Sequence, residues 1–348
     1  MSLQFTYIYY FFAASVIASI PFLYQSNRSE LLRLYRFVIL CFVVLVYLYG
    51  MSRTGGADIV NYLRTYDNSD AFKIFDPGYM LINNTFKSLG LPFNALLIFS
   101  GFISLFAAYR ISKFFNIKFV LLISILFLHI FIVRDFAQFR VGMAISFALI
   151  ALTSTRKAKL LLYFVGISIH FTALFFVIAY EASLWATRLS RQRRRKLFLG
   201  LCFSVIFAIG LNVSYLSFID PRIDLYLNWD RDGYGRAVTS YSSVVFNLVI
   251  LILALLSRKY WPPRMQELVY LQMFGIATFF AFSGASTFAF RLANVTFSLY
   301  PVLLLMTLDS LRPYVSSGRL AMGFLLSIFA FILLMRPGSM RLIGLIAH

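Results

Sequence analysis

Charge is what this sequence has least of. Only 13% of its 348 residues are charged, against about a quarter in an ordinary soluble domain. A soluble fold of this length needs more polar surface to cover its apolar interior. Acids are scarcest, with 13 Asp and Glu against 32 Lys and Arg, for a net charge of +19. The two cysteines, Cys41 and Cys202, lie within apolar runs, so neither a disulfide framework nor a thiolate metal site is indicated. There is no Gly-rich phosphate loop, no His/Cys metal spacing and no paired-aspartate motif that would hold a metal for a nucleotide sugar. Internal repeats and low-complexity tracts are also missing. The first apolar run has no basic stretch before it, so it reads as a first span and not as a cleaved signal peptide.

What is present is apolar. Hydrophobic residues make up 61% of the chain, including 40 Phe and 21 Tyr. Aromatic rings suit the membrane interface. Apolar runs at 6–24, 36–51, 92–109, 118–133, 138–154, 197–213, 241–257, 268–285, 292–308 and 320–335 read as transmembrane helices. The chain is therefore expected to be an all-α, polytopic integral membrane protein with about 10–12 spans, forming one transmembrane domain over residues 1–348. The segment 159–186 is long for one span and short for two.

The basic residues thread the chain. Arg188, Arg191, Arg193, Arg194, Arg195 and Lys196 form an acid-free basic stretch, and Arg156, Lys157 and Lys159 form another. Both are expected on the cytoplasmic side. The segment between them must then enter and return, as a hairpin of two short helices with His170 near its turn. This threading gives twelve crossings with both termini outside. It puts 20 of the 32 basic residues in cytoplasmic loops and nine of the ten aspartates on the other side. Charge in short loops sets orientation and meets anionic lipid, so the net charge does not imply nucleic acid as a partner. Two longer outer segments, about 51–91 and 213–240, are expected to fold over the membrane. A short interfacial helix is expected within Pro77–Gly90.

The outer segments collect the residues that could carry chemistry. They hold Asp58, Tyr62 and Tyr66; then Asp76 and Tyr79; then Arg134, Asp135 and Arg140 at the start of a span; then His170; then Arg222 among the acids of the second loop; and Arg291 at a late span start. Each also has a plain structural reading. Arg140 and Arg291 sit at span ends, where cationic side chains snorkel. Asp135 serves equally as a boundary between spans. His170 and His129 also suit a lone polar residue hydrogen-bonded between helices. The Asp-Arg alternation of the second loop forms only weak surface pairs. Taken together, arginines at helix ends fit a pyrophosphate or another polyanion. Carboxylates and aromatic rings beside them fit sugar hydroxyls and sugar faces.

An ordered set of short motifs adds a resemblance. Gly56-x-Asp58-x-x-Asn61-Tyr62-x-x-x-Tyr66, Asp76-Pro77-Gly78-Tyr79, Gln138-x-Arg140-x-x-x-Ala144 and Ile169-His170-x-x-Ala173, in that order, resemble the EpsG-like branch of bacterial polysaccharide polymerases, related to the Wzy-type O-antigen polymerases. The motifs cover about residues 50–180, and Arg291 matches a weaker late position. Asp76 stands where the family often has Glu. The resemblance implies a GT-C-like membrane glycosyltransferase in the bacterial inner membrane with its active site facing the periplasm. Its substrates would be undecaprenyl-pyrophosphate-linked glycans, and no metal or cofactor would be required. A chain-length regulator and a flippase would be further partners. Arg140 and Arg291 would hold the pyrophosphate, assisted by Arg134. His170 would act as base or orienter, with Asp58 the competing carboxylate. Tyr62, Tyr66, Asp76 and Tyr79 would shape the sugar groove, with Asp135 and Arg222 among the substrate contacts. A transporter or flippase of lipid-linked sugars, a glycan O-acyltransferase and a non-catalytic assembly partner are the alternatives.

Overall fold

A computed structural model describes residues 13–21, 23, 30–52, 57–67, 76–128, 130, 135, 138–189, 192–211, 241–283, 286–311, 313 and 326–328. Among these residues every regular element is helical, and the protein is an all-α polytopic membrane protein. In chain order the helices are α1 (Glu30–Met51), α2 (Ala57–Asp67), α3 (Pro77–Ser88), α4 (Phe93–Phe114), α5 (Phe119–Leu128), α6 (Phe139–Leu152), α7 (Arg156–Ile169), α8 (Thr172–Arg188), α9 (Gln192–Leu211), α10 (Tyr241–Leu256), α11 (Met265–Ala281), α12 (Ser286–Thr296) and α13 (Tyr300–Leu311). Leu32–Met51, Phe93–Phe114 and Phe288–Leu311 are long and apolar enough to cross a bilayer, and Phe119–Leu128, Phe139–Leu152 and Ser243–Leu256 are shorter apolar helices. The last long helix contains a 3-10 step at Phe297–Leu299 that joins α12 to α13.

The chain forms two compact units. One comprises Met1–Ala173 with Leu311–His348, and the other Leu174–Ser310. In the first unit α6 packs against both α4 and α7, while α1 lies against α4 and α5. Small residues allow these close approaches. On α4 the buried side carries Ser100, Gly101, Ser104, Ala107 and Ala108, whereas Phe99, Phe102, Phe106 and Tyr109 point outward. Ser104 and Ser146 share a hydrogen bond of 2.9 Å between α4 and α6. A Cβ on Gly166 of α7 would lie 2.7 Å from the Ala144 carbonyl oxygen of α6. In the second unit α11 packs against α9, α10 and α12. There a Cβ on Gly210 would lie 2.3 Å from the Ala281 carbonyl oxygen. Buried Asn247 donates to Ser243 O at 2.7 Å and accepts from Gln272.

Helix ends are fixed by ordinary backbone chemistry. Pro77 opens α3 at its first helical position, where a missing N–H costs nothing. After α4 ends, Asn116 adopts a left-handed φ of 55°, a conformation that Asn tolerates better than most residues. The carbonyl end of α6 is capped by Arg110, whose Nε donates to Thr153 Oγ1 at 3.0 Å and whose Nη2 donates to Thr153 O at 2.7 Å.

The segment 159–186 is two helices, α7 and α8, and the break falls at His170, which has extended backbone (φ −157°, ψ 121°). The short helix expected within Pro77–Gly90 is α3. Other boundaries move. The run beginning at 197 starts helically at Gln192, which draws Arg193, Arg194, Arg195 and Lys196 into α9. The 51–91 segment also holds a second helix, α2, which a search for apolar runs passes over because half of its residues are polar. The segment 213–240, expected to be the second outer one, lies outside the described residues.

Candidate functional site

The ordered motifs meet at one end of the first unit. The geometry follows from where each motif sits on its helix. Tyr62 and Tyr66 are one turn apart on α2, so both fall on its buried face. Asp76 is the residue before α3, and its side chain makes no cap to that helix. Gln138 precedes α6, which places Arg140 in the first turn of α6. Ile169 ends α7 and Ala173 lies in the first turn of α8, both fully buried, with His170 between them.

Arg140 is the centre of the cluster. It is only 5% exposed. Its guanidinium carbon lies 5.2 Å from the centre of the Tyr79 ring and 5.3 Å from that of Tyr62. Its Nη1 is 3.7 Å from Asp76 Oδ2. The uncapped geometry of Asp76 therefore has a reason, since its carboxylate turns to Arg140 and not to the N–H groups of α3. Such an arginine is held by cation–π attraction on two rings and by one carboxylate. It also sits at a helix N-terminus, where the helix dipole repels a cation and attracts an anion. Arginine and helix end thus favour the same kind of ligand, a negatively charged one.

Aromatic packing builds the walls. Phe139 meets Tyr62 edge-on at 4.9 Å and Tyr79 at 5.9 Å, and Phe93 at the start of α4 lies 5.9 Å from Phe139. Tyr66 packs 5.5 Å from Phe93, and its hydroxyl donates to the Leu91 carbonyl. Burial raises the Tyr79 phenol well above its ordinary pKa, Tyr62 adds to the rise, and Arg140 offsets part of it. Tyr66 is raised by burial and then by Asp67. Both phenols therefore remain neutral near pH 7 and can serve as hydrogen-bonding groups, not as bases.

Gly78 explains the spacing of its motif. A Cβ there would lie 2.3 Å from Ser168 Oγ and 2.7 Å from the Ser168 carbonyl carbon. Only glycine lets α3 sit on the end of α7, two residues before His170. His170 itself is tied down at one nitrogen. The Thr172 backbone N–H donates to Nδ1 at 3.2 Å, and Thr172 Oγ1 is 2.8 Å from the same atom. An Nδ1 that accepts a backbone N–H carries no proton, so the neutral ring holds its proton on Nε2. In this state Nε2 is a hydrogen-bond donor.

Asp135 is fully buried and accepts a hydrogen bond from Tyr47 of α1, with Tyr47 Oη 2.8 Å from Oδ2. Its other oxygen would lie 2.4 Å from a Cβ on Gly142, so glycine makes room for the carboxylate against α6. Arg291 lies in the second unit on α12 and is partly exposed. Asp58 holds the position one turn before Tyr62 on α2. Arg134, Arg222 and His129 lie outside the described residues, as does the side chain of Asp58. Among the described residues, no three His, Cys, Asp or Glu side chains gather as a metal-holding group.

Several members of this cluster were not singled out from the sequence. Phe93, Tyr47 and Gly142 lie in apolar or small-residue stretches, where nothing in composition marks them.

The fold and cluster define an all-α polytopic membrane protein that gathers a buried arginine, aromatic rings and carboxylates at one end of its helices. The EpsG family model matches residues 34–338, and the chain belongs to the EpsG family. Membership points to an enzyme of polysaccharide biosynthesis with a polymerase-like function. No curated protein and no solved structure matches the chain.

Proposed function

We propose that the protein is a polysaccharide polymerase, a glycosyltransferase that joins undecaprenyl-pyrophosphate-linked repeat units at the periplasmic face of the bacterial inner membrane. The observation that carries this reading is Arg140, a nearly buried guanidinium clasped by Tyr62 and Tyr79 and paired with Asp76. A cation held this rigidly, among rings and beside helix ends, suits a pyrophosphate on a sugar better than it suits a solvated salt bridge. The polymer made would be an O-antigen, a capsule or an exopolysaccharide.

In the reaction, the growing chain is the donor. A hydroxyl oxygen of the incoming repeat unit bonds to the anomeric carbon of the donor. The bond from that carbon to the pyrophosphate oxygen breaks, and undecaprenyl pyrophosphate leaves with the electron pair. Arg140 offsets the charge that grows on the leaving group, and Arg134 and Arg291 are the further arginines assigned to the pyrophosphate. His170 orients a substrate oxygen by donating from Nε2, since Nδ1 is occupied by Thr172. The acceptor proton passes to a carboxylate, with Asp58 and Asp76 the candidates. Tyr62, Tyr66 and Tyr79 pack against sugar faces. Asp135 supports the start of α6 from behind, through Tyr47, and Arg222 belongs to the second outer segment. The protein works beside a flippase that delivers the lipid-linked units and a chain-length regulator that limits their growth.

A glycan O-acyltransferase would need His170 as a general base. The hydrogen bonds to Nδ1 work against that role and favour the polymerase reading. Deleting the gene from its native host tests the proposal. The expected outcome is a lipid-linked or surface glycan of a single repeat unit, read as the loss of the high-molecular-weight ladder on a gel. Unchanged long polymer would contradict it.

A further inference from the structure

We infer that Asn83 reads the sugar next to the pyrophosphate, by hydrogen-bonding hydroxyl groups of the ring through its side-chain amide. This rests on the polymerase reading of Arg140. Helix α3 buries two residues only, Tyr79 and Asn83. They are four apart, so they lie on one face, about 6 Å from each other along the axis. Tyr79 occupies that face against Arg140, Tyr62 and Phe139. Asn83 is the next position along it.

Contacts on either side bracket this position. Before it, Tyr79 and Tyr62 bring α3 to α2, with ring centres 5.9 Å apart. After it, Lys87 Nζ donates to the Asp67 carbonyl at the end of α2, at 2.8 Å. Asn83 therefore lies between the aromatic cluster and the end of α2.

The amide there is unusual in being unused. Asn83 is 0% exposed, and among the described residues neither its Nδ2 nor its Oδ1 has a hydrogen-bond partner. Buried polar groups in folded proteins are nearly always paired. Asn247, 1% exposed, shows the ordinary case for a buried amide: it donates to Ser243 O and accepts from Gln272. Leaving both atoms of an amide unpaired costs stability that an apolar residue of the same size would not. That cost is offset when a ligand supplies the partners. The ligand must offer a donor and an acceptor together. A phosphate offers only acceptors and would leave Oδ1 unpaired. Hydroxyl groups of a sugar offer both, and the rings around Arg140 provide the flat apolar surface that a sugar face packs on. The chemical class is thus an uncharged, polyhydroxylated ring.

The test uses the full-length protein in lipid nanodiscs and two probes. One is the lipid-linked repeat unit extracted from the deletion strain, and the other is undecaprenyl pyrophosphate without sugar. Wild-type protein is expected to bind the sugar-bearing lipid more tightly. Asn83→Leu is expected to bind both alike, with the sugar-bearing lipid weakened by about 10- to 100-fold. Should Asn83→Leu fail to accumulate, Asn83→Ala removes the amide without adding bulk and is expected to lose the same preference. Arg140→Ala weakens both lipids together. A sugar preference that survives either Asn83 substitution overturns the inference and leaves the amide to an ordered water. Equal binding of the two lipids by wild-type protein also overturns it while sparing the role of Arg140. Wild-type protein that binds neither lipid contradicts the polymerase reading itself.

Discussion

Arg140→Ala is expected to abolish long polymer while a glycan of one repeat unit still forms. The loss in rate should be on the order of 10³-fold, the effect of removing one preorganised group that stabilises charge in a transition state. Two effects must be separated. Arg140 and Asp76 are both nearly buried, at 6% and 10% side-chain exposure. Removing one partner of a buried pair leaves an uncompensated charge and costs about 3–5 kcal/mol. The protein level in the membrane therefore has to be measured beside the glycan. The double variant Arg140→Ala/Asp76→Asn removes both charges and should restore the level without restoring polymer. Arg140→Lys keeps the charge but loses the planar fork that packs between Tyr62 and Tyr79, so an intermediate length is expected. Full-length polymer from Arg140→Ala would show that this arginine only packs the helices.

The second large effect is expected at Gly78. Alanine there would put a methyl group within 2.7 Å of the Ser168 carbonyl carbon and 2.8 Å of its oxygen. These are backbone atoms, so no rotamer change relieves the contact, and α3 must move away from α7. Overpacking of this kind costs about 1–3 kcal/mol. The functional loss should exceed the loss of stability, because α3 carries Asp76 and Tyr79 to Arg140. Gly200→Ala is the control. Its site on α9 has nothing within 4 Å, and alanine in an open helical position should be neutral or stabilising, by up to about 1 kcal/mol. Thermal unfolding in detergent and glycan length in cells would give the two readouts. Equal behaviour of the two variants would mean that the contact between α3 and Ser168 does not position the site.

The sequence was most informative where the membrane imposes its rules. A bilayer demands long apolar helices, so scarce charge and long apolar runs were enough to reveal the class of fold. Basic residues at loop ends were enough to place a break near His170. The pairing of Arg140 with Asp76 was not legible. It depends on the angle at which α3 meets α6, and 64 residues separate the two partners. The unused amide of Asn83 was hidden for a similar reason. An asparagine in the polar segment Asn83-Asn84-Thr85 looks like a solvent-facing residue until the buried face of α3 is known. The role of His170 was readable only in part. Its position at a break pointed to function, whereas the state of its ring depends on Thr172, two residues away, and on how α8 begins.

Purified protein in liposomes, given only the lipid-linked repeat unit extracted from the deletion strain, tests the central claim most directly. The expected result is a ladder of glycans on the lipid, with one undecaprenyl pyrophosphate released for each bond formed, and neither product from Arg140→Ala. A wild-type protein that is folded and binds the lipid-linked unit, yet yields no glycan longer than one repeat and releases no undecaprenyl pyrophosphate, would contradict it.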